Sequence, residues 1–148
     1  MKIEFFYSPV YFRNLNKYKP TEKPWPEVKK LGQKFEKKYQ AEIEQIARII
    51  PKLTGKPWRR KVTEVYIVDW AGPSFSQPLT LKVRDDLLLM LVILTHELLH
   101  DFYLENKNIE KVETKINELV KKVFAKLNIE AKKQIGVLQG FHEERFGK

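Results

Sequence analysis

Leu87-Leu88-Leu89-Met90-Leu91-Val92-Ile93-Leu94-Thr95-His96-Glu97-Leu98-Leu99-His100 is the stretch on which the fold turns. Its apolar residues occupy nearly every helical angle instead of one stripe, which predicts a helix that continues to Leu104, is capped by Asp85 or Asp86, and is buried on all sides. Such a helix has to lie at the centre of its domain. Into this run the chain places His96-Glu97-Leu98-Leu99-His100, using two of its three histidines. Positions i and i+4 share a helix face one turn apart, so both imidazoles can address a single ion with Glu97 beside them. The apolar stretch is too short, and too polar at His96 and Glu97, to span a bilayer.

Working outward, Ile3 to Tyr7 is aromatic and β-branched and is closed by Ser8-Pro9, which reads as a short strand followed by a polar, proline-punctuated segment through Pro26. From Glu27 to Ile50, Val28, Leu31, Phe35, Tyr39, Ile43, Ile46, Ile49 and Ile50 recur every three or four positions, predicting one long amphipathic helix ended by Pro51 and Gly55. Val62 to Val68 and Leu79 to Val83 read as two further strands, expected to pair antiparallel across the loop 72–78. Asn106-Lys107-Asn108 reads as a turn, with Asn108 capping a helix from Ile109 to about Leu127. A short helical stretch is expected through Lys133, and the tail from Gly136 shows little periodicity, as a frayed terminus would. The fold class is α+β: a small antiparallel or mixed three-stranded sheet on a long N-terminal helix and the buried motif helix, with a last helix packed back along it.

The 148 residues fit one domain, with strand and long helix in 1–61, a catalytic core in 62–127 and a tail in 136–148. Apolar residues at 43% and charged residues at 32% are a globular balance. With no cysteine, disulfides and cysteine-zinc sites are excluded. The start of the chain carries no secretory pattern, so a soluble cytoplasmic protein is expected. The net charge of +9 comes from lysines along the helices and from Lys56-Pro57-Trp58-Arg59-Arg60-Lys61. A nucleic-acid surface can look like this, but a solvated Lys/Glu-rich helix surface, as in thermophile proteins, is the reading preferred.

A catalytic zinc takes three protein ligands and leaves a position for water, so the two histidines need a third partner. If the turn at 106–108 folds the last helix back, His100 and Glu113 lie roughly 7–9 Å from the hairpin tip on opposite arms. On the helical wheel Val112, Ile116, Val120, Val123, Phe124 and Leu127 define the buried face, and Glu113 falls between Val120 and Phe124. Glu118 points the other way and Glu110 sits at the edge of the stripe. A buried carboxylate needs compensation, and a metal ion provides it. Asn117, one turn after Glu113, is level with His96 and can accept its second ring N–H.

These residues, His96-Glu97-Leu98-Leu99-His100 with Glu113-Thr114-Lys115-Ile116-Asn117, resemble the gluzincin metallopeptidases, and the short gap from His100 to Glu113 is similar to the small archaeal minigluzincins. The resemblance covers roughly Val62 to Leu127. Thermolysin-like members carry an aspartate where this chain has Asn117, so the amide departs from that pattern. The resemblance implies one Zn2+ per chain on His96, His100 and Glu113, Glu97 as general base, and peptide or protein substrates. It also implies a sheet edge that pairs with extended substrate; Leu79, Thr80, Leu81, Lys82 and Val83 are the expected strand.

Tyr103, Tyr66 and His142 are candidates for the further donor an oxyanion needs. His142 has a second expected role: the tail can reach the cleft, fill the open metal position and hold the enzyme latent. The alternative to a peptidase is a non-catalytic zinc-binding or basic module for nucleic acid or a protein partner on the same scaffold. A third reading makes His96, Glu97 and His100 a hydrogen-bonded core cluster.

Overall fold

The computed structural model describes the backbone of residues 1–103 and 109–146, with side chains described for 1–103 and 113–141. In chain order the elements are β1 (Lys2–Phe6), α1 (Pro9–Asn16), α2 (Trp25–Thr54), β2 (Val62–Val68), β3 (Phe75–Ser76), β4 (Leu79–Lys82), α3 (Leu87–Phe102), α4 (Ile109–Leu127) and α5 (Lys132–Phe146). The turn expected at 106–108 and its cap Asn108 lie outside the described residues. Among the described residues no helix is long and apolar enough to cross a membrane.

The α+β class stands, with a four-stranded mixed sheet in the order β1-β2-β4-β3. Two expectations about it need correction: the sheet has a fourth strand, β3, inside the loop expected at 72–78, and the β2–β4 pair is not antiparallel. β2 and β4 are parallel, Tyr66 pairing with Thr80 and Val68 with Lys82, because the return through residues 69–78 carries the chain back along the sheet instead of making a tight turn. The antiparallel hairpin is formed by β3 and β4, with Ser76 opposite Leu79. The return is tied down: the Asp69 carboxylate accepts from the Thr21 hydroxyl at 2.5 Å and from Trp70 N at 2.9 Å.

Helix α3 is the centre, as an all-round apolar helix must be; Met90, Leu91, Val92, Leu94, Leu98 and Leu99 are fully buried. Asp86 caps it, its carboxylate accepting from Leu89 N at 3.0 Å. It packs on β3 and β4 on one side and on α2, α4 and α5 on the others. Helix α2 lies against the sheet so closely that a Cβ on Gly32 would come within 2.7 Å of both Ile67 Cγ2 and Tyr7 Cε1.

The structure departs from the sequence reading at three helices. α1 falls inside the supposed loop: Ser8 caps it by accepting from Tyr11 N at 3.1 Å, Pro9 occupies its first turn, and Phe12 stacks on Trp25 with ring centroids 5.1 Å apart. α2 passes through Pro51 and ends only at Gly55, whose φ of 71° is the left-handed cap glycine favours. Pro51 lacks the N–H that would pair with the Ala47 carbonyl, and the Trp58 indole N–H donates to that oxygen at 2.8 Å in its place. The tail is a helix, α5, with Ile135 and Leu138 buried along it and Ala131 buried just before it, at a spacing of three to four residues. Two glycines in it, Gly136 and Gly140, weaken helix propensity by about 1 kcal/mol each, and packing on α3 offsets that.

Candidate metal centre

His96 and His100 sit on consecutive turns of α3, rings 4.5 Å apart between centroids and nearly perpendicular. The α4 stripe faces them with Ile116, Val120, Val123 and Phe124 buried as the wheel places them, and the same geometry turns Glu113 inward, only 6% exposed. The Glu113 carboxylate bridges the histidines. His96 Nε2 lies 2.6 Å from its Oε1 and His100 Nε2 2.7 Å from its Oε2. The three donor atoms lie within 4.8 Å of one another.

Burial works against an imidazolium at His96, but hydrogen bonds and charge from Glu113 and Glu97 override it and push its pKa up to about 9. For Glu113 burial works toward the neutral acid, and the hydrogen bonds and charges of His100 and His96 outweigh it, holding the carboxyl well below the usual range. The pocket therefore favours positive charge beside Glu113, which a divalent ion can supply. Two imidazole nitrogens and a carboxylate oxygen, convergent, with His96 and Glu113 buried and His100 half-buried, are a donor set that fits zinc. Glu97, itself buried, places Oε1 3.4 Å from His96 Nδ1, so it borders the cluster without joining the three donors.

Compared with models of known protein families, with curated proteins and with solved structures, the chain matches none. The chemistry of the centre therefore rests on its own atoms.

The other expected site residues divide. Asn117 is half-buried on α4, but the His96 ring nitrogens face Glu113 and Glu97, and among the described residues no hydrogen bond joins Asn117 to His96. Tyr103 closes α3, its ring 5.4 Å from that of Phe102 and 5.0 Å from Lys115 Nζ on α4. Tyr66 stacks on Tyr11 at 4.9 Å, on the sheet face opposite the one that Val65 and Ile67 bury. The His142 side chain lies outside the described residues. Its helix docks near the start of α3, through Gln134 on Asp86 at 3.2 Å and the Arg84 guanidinium 5.0 Å from the Phe141 ring. Asp86 is ten residues, about 15 Å of helix, from His96.

The edge-strand expectation is corrected. Leu79, Thr80, Leu81 and Lys82 form β4, an interior strand between β2 and β3, and Val83 follows it. Folding back at Gln77-Pro78 gives the outermost position to Phe75 and Ser76. Sequence reasoning also passed over Asp101, directly after His100. Its carboxylate is buried and held by the Arg60 guanidinium through Nη1 at 3.2 Å and Nη2 at 3.3 Å. Burial raises its pKa, and the Arg60 charge only partly offsets this. A second acid on an apolar helix, one turn after Glu97, was the available signal.

Proposed function

We propose that the protein is a zinc-dependent metallopeptidase of gluzincin type, with His96, His100 and Glu113 as ligands and Glu97 as general base. The observation that carries this reading is the convergence of the three donors within 4.8 Å between the packed helices α3 and α4, with a second, non-ligating acid, Glu97, beside them. Bound zinc would supply Lewis acidity, lowering the pKa of a water and polarising the scissile carbonyl. Glu97 takes the proton of the attacking water and delivers it to the leaving amine, which requires a carboxylate next to the ligands and not among them. α3 and α4 hold the ligands on rigid, buried elements, so the donors need little rearrangement. The outer side of β3 is the sheet edge beside α3 along which an extended substrate can pair.

The test measures zinc per chain and peptide hydrolysis together. Wild type should hold about one zinc per chain and cleave an unstructured protein such as casein. Glu113→Ala should lose zinc and activity, while Glu97→Gln keeps zinc and loses activity. Full zinc occupancy in Glu113→Ala would remove that residue from the site; zinc without any cleavage would leave the non-catalytic binding module; no zinc at all would leave a hydrogen-bonded core cluster.

A further inference from the structure

β2 is longer than its neighbour. β4 covers only Tyr66, Ile67 and Val68, so Val62 to Val65 have no partner strand on that side among the described residues. A cavity of about 350 Å³ opens there, lined by Arg60, Val62, Glu64, Tyr66 and Leu79, by the Ser76-Gln77-Pro78 turn, and by Asp101. It lies between the sheet's edge hairpin and the last turn of α3. Asp101 follows His100 and shares a helix face with Glu97 four residues earlier, so this lining residue stands about one turn, roughly 6 Å along α3, beyond the general base.

We propose that this notch is a substrate subsite that holds a lysine or arginine side chain of the bound peptide, with Glu64 as the residue that selects it. The proposal rests on the metallopeptidase reading. Three features decide the class of side chain. Arg60 presents both terminal nitrogens to Asp101, so these two charges offset each other. The Glu64 carboxylate is exposed and has no hydrogen bond or ion pair among the described residues, which leaves the lining net negative in a chain of net charge +9. With Arg60 and Asp101 offsetting each other, the uncompensated charge is that of Glu64: it repels an incoming carboxylate, whereas a cation pairs with it while its aliphatic stem lies on Val62, Tyr66 and Leu79.

The experiment uses the full chain as the zinc-loaded Glu97→Gln variant, titrated calorimetrically with acetylated, amidated pentapeptides that differ only in a central arginine, norleucine or glutamate. The arginine peptide should bind about three- to tenfold tighter than the norleucine peptide, the range for a partly desolvated ion pair, and the glutamate peptide weakest. Adding Glu64→Gln should bring arginine and norleucine to parity, and Glu64→Lys should reverse the ranking; Glu64 is exposed, so unchanged thermal melts serve as the folding control. Equal binding of the three peptides, no binding of any, or a ranking untouched by Glu64→Lys overturns the proposal. The arginine ranking without cleavage of any peptide by wild type would keep the subsite and remove the peptidase reading; cleavage without a charge ranking would do the reverse.

Discussion

Replacing Trp58 by Phe tests how the chain carries a proline inside α2. The indole N–H donates to Ala47 O, the carbonyl that Pro51 leaves without a helical partner, and the ring meets Phe102 edge-on at 4.9 Å at the end of α3. Ala47 is buried, so removing the donor leaves an unsatisfied carbonyl at about 1–3 kcal/mol, and trimming a half-buried ring adds roughly 1 kcal/mol. For a domain of 148 residues a loss of about 2–3 kcal/mol lowers Tm by roughly 5–10 °C. Pro51→Ala restores a backbone N–H that can reach the same carbonyl. In that background Trp58→Phe should cost about 1–2 kcal/mol less, because only the packing part remains. Urea unfolding followed by far-ultraviolet circular dichroism on the four proteins of this cycle measures the coupling. A cost for Trp58→Phe that is the same in both backgrounds within about 0.5 kcal/mol would refute the compensation, since neighbours sharing a hydrogen bond should couple by more.

Gly32→Ala should destabilise the protein by about 1–2 kcal/mol even though alanine is the better helix former, because the new Cβ meets Ile67 and Tyr7 at 2.7 Å; a rise in Tm would show that the sheet gives way easily. In chelator-treated protein the His96 pKa is raised from 6.5 to about 9, so its contribution to stability is fully present below 6.5 and lost as pH rises through about 9. The Glu113 pKa is depressed, so its contribution is present above 4.5 and lost on acidification. Urea midpoints from pH 5 to 10 should therefore fall on the alkaline side, and Glu113→Gln should flatten that limb. Arg60→Ala leaves the buried Asp101 carboxylate without its cation and should cost about 1–2 kcal/mol at neutral pH, discounted because Arg60 is half exposed. Part of that loss should return on acidification as Asp101 protonates, which a pH series of melts would detect.

The sequence by itself determined what depends on local periodicity. An apolar run at every helical angle has to be a central helix, histidines at i and i+4 have to share a face, and the α4 stripe turns Glu113 toward the core wherever that helix packs; α3, α4 and the His96-His100-Glu113 cluster were legible for this reason. Only the tertiary structure decided strand direction, because Val62 to Val68 and Leu79 to Lys82 have the same pattern whether they run parallel or antiparallel, and the path of residues 69–78 sets the outcome. It likewise decided that α2 continues past Pro51, through an indole eleven residues from the carbonyl it satisfies, and that the glycine-containing tail is a helix, through burial of Ala131, Ile135 and Leu138 against α3. The Arg60 and Asp101 pair and the notch above it belong to the same class. They join residues far apart in the chain, and a sequence pattern of short period carries no record of contacts at that separation.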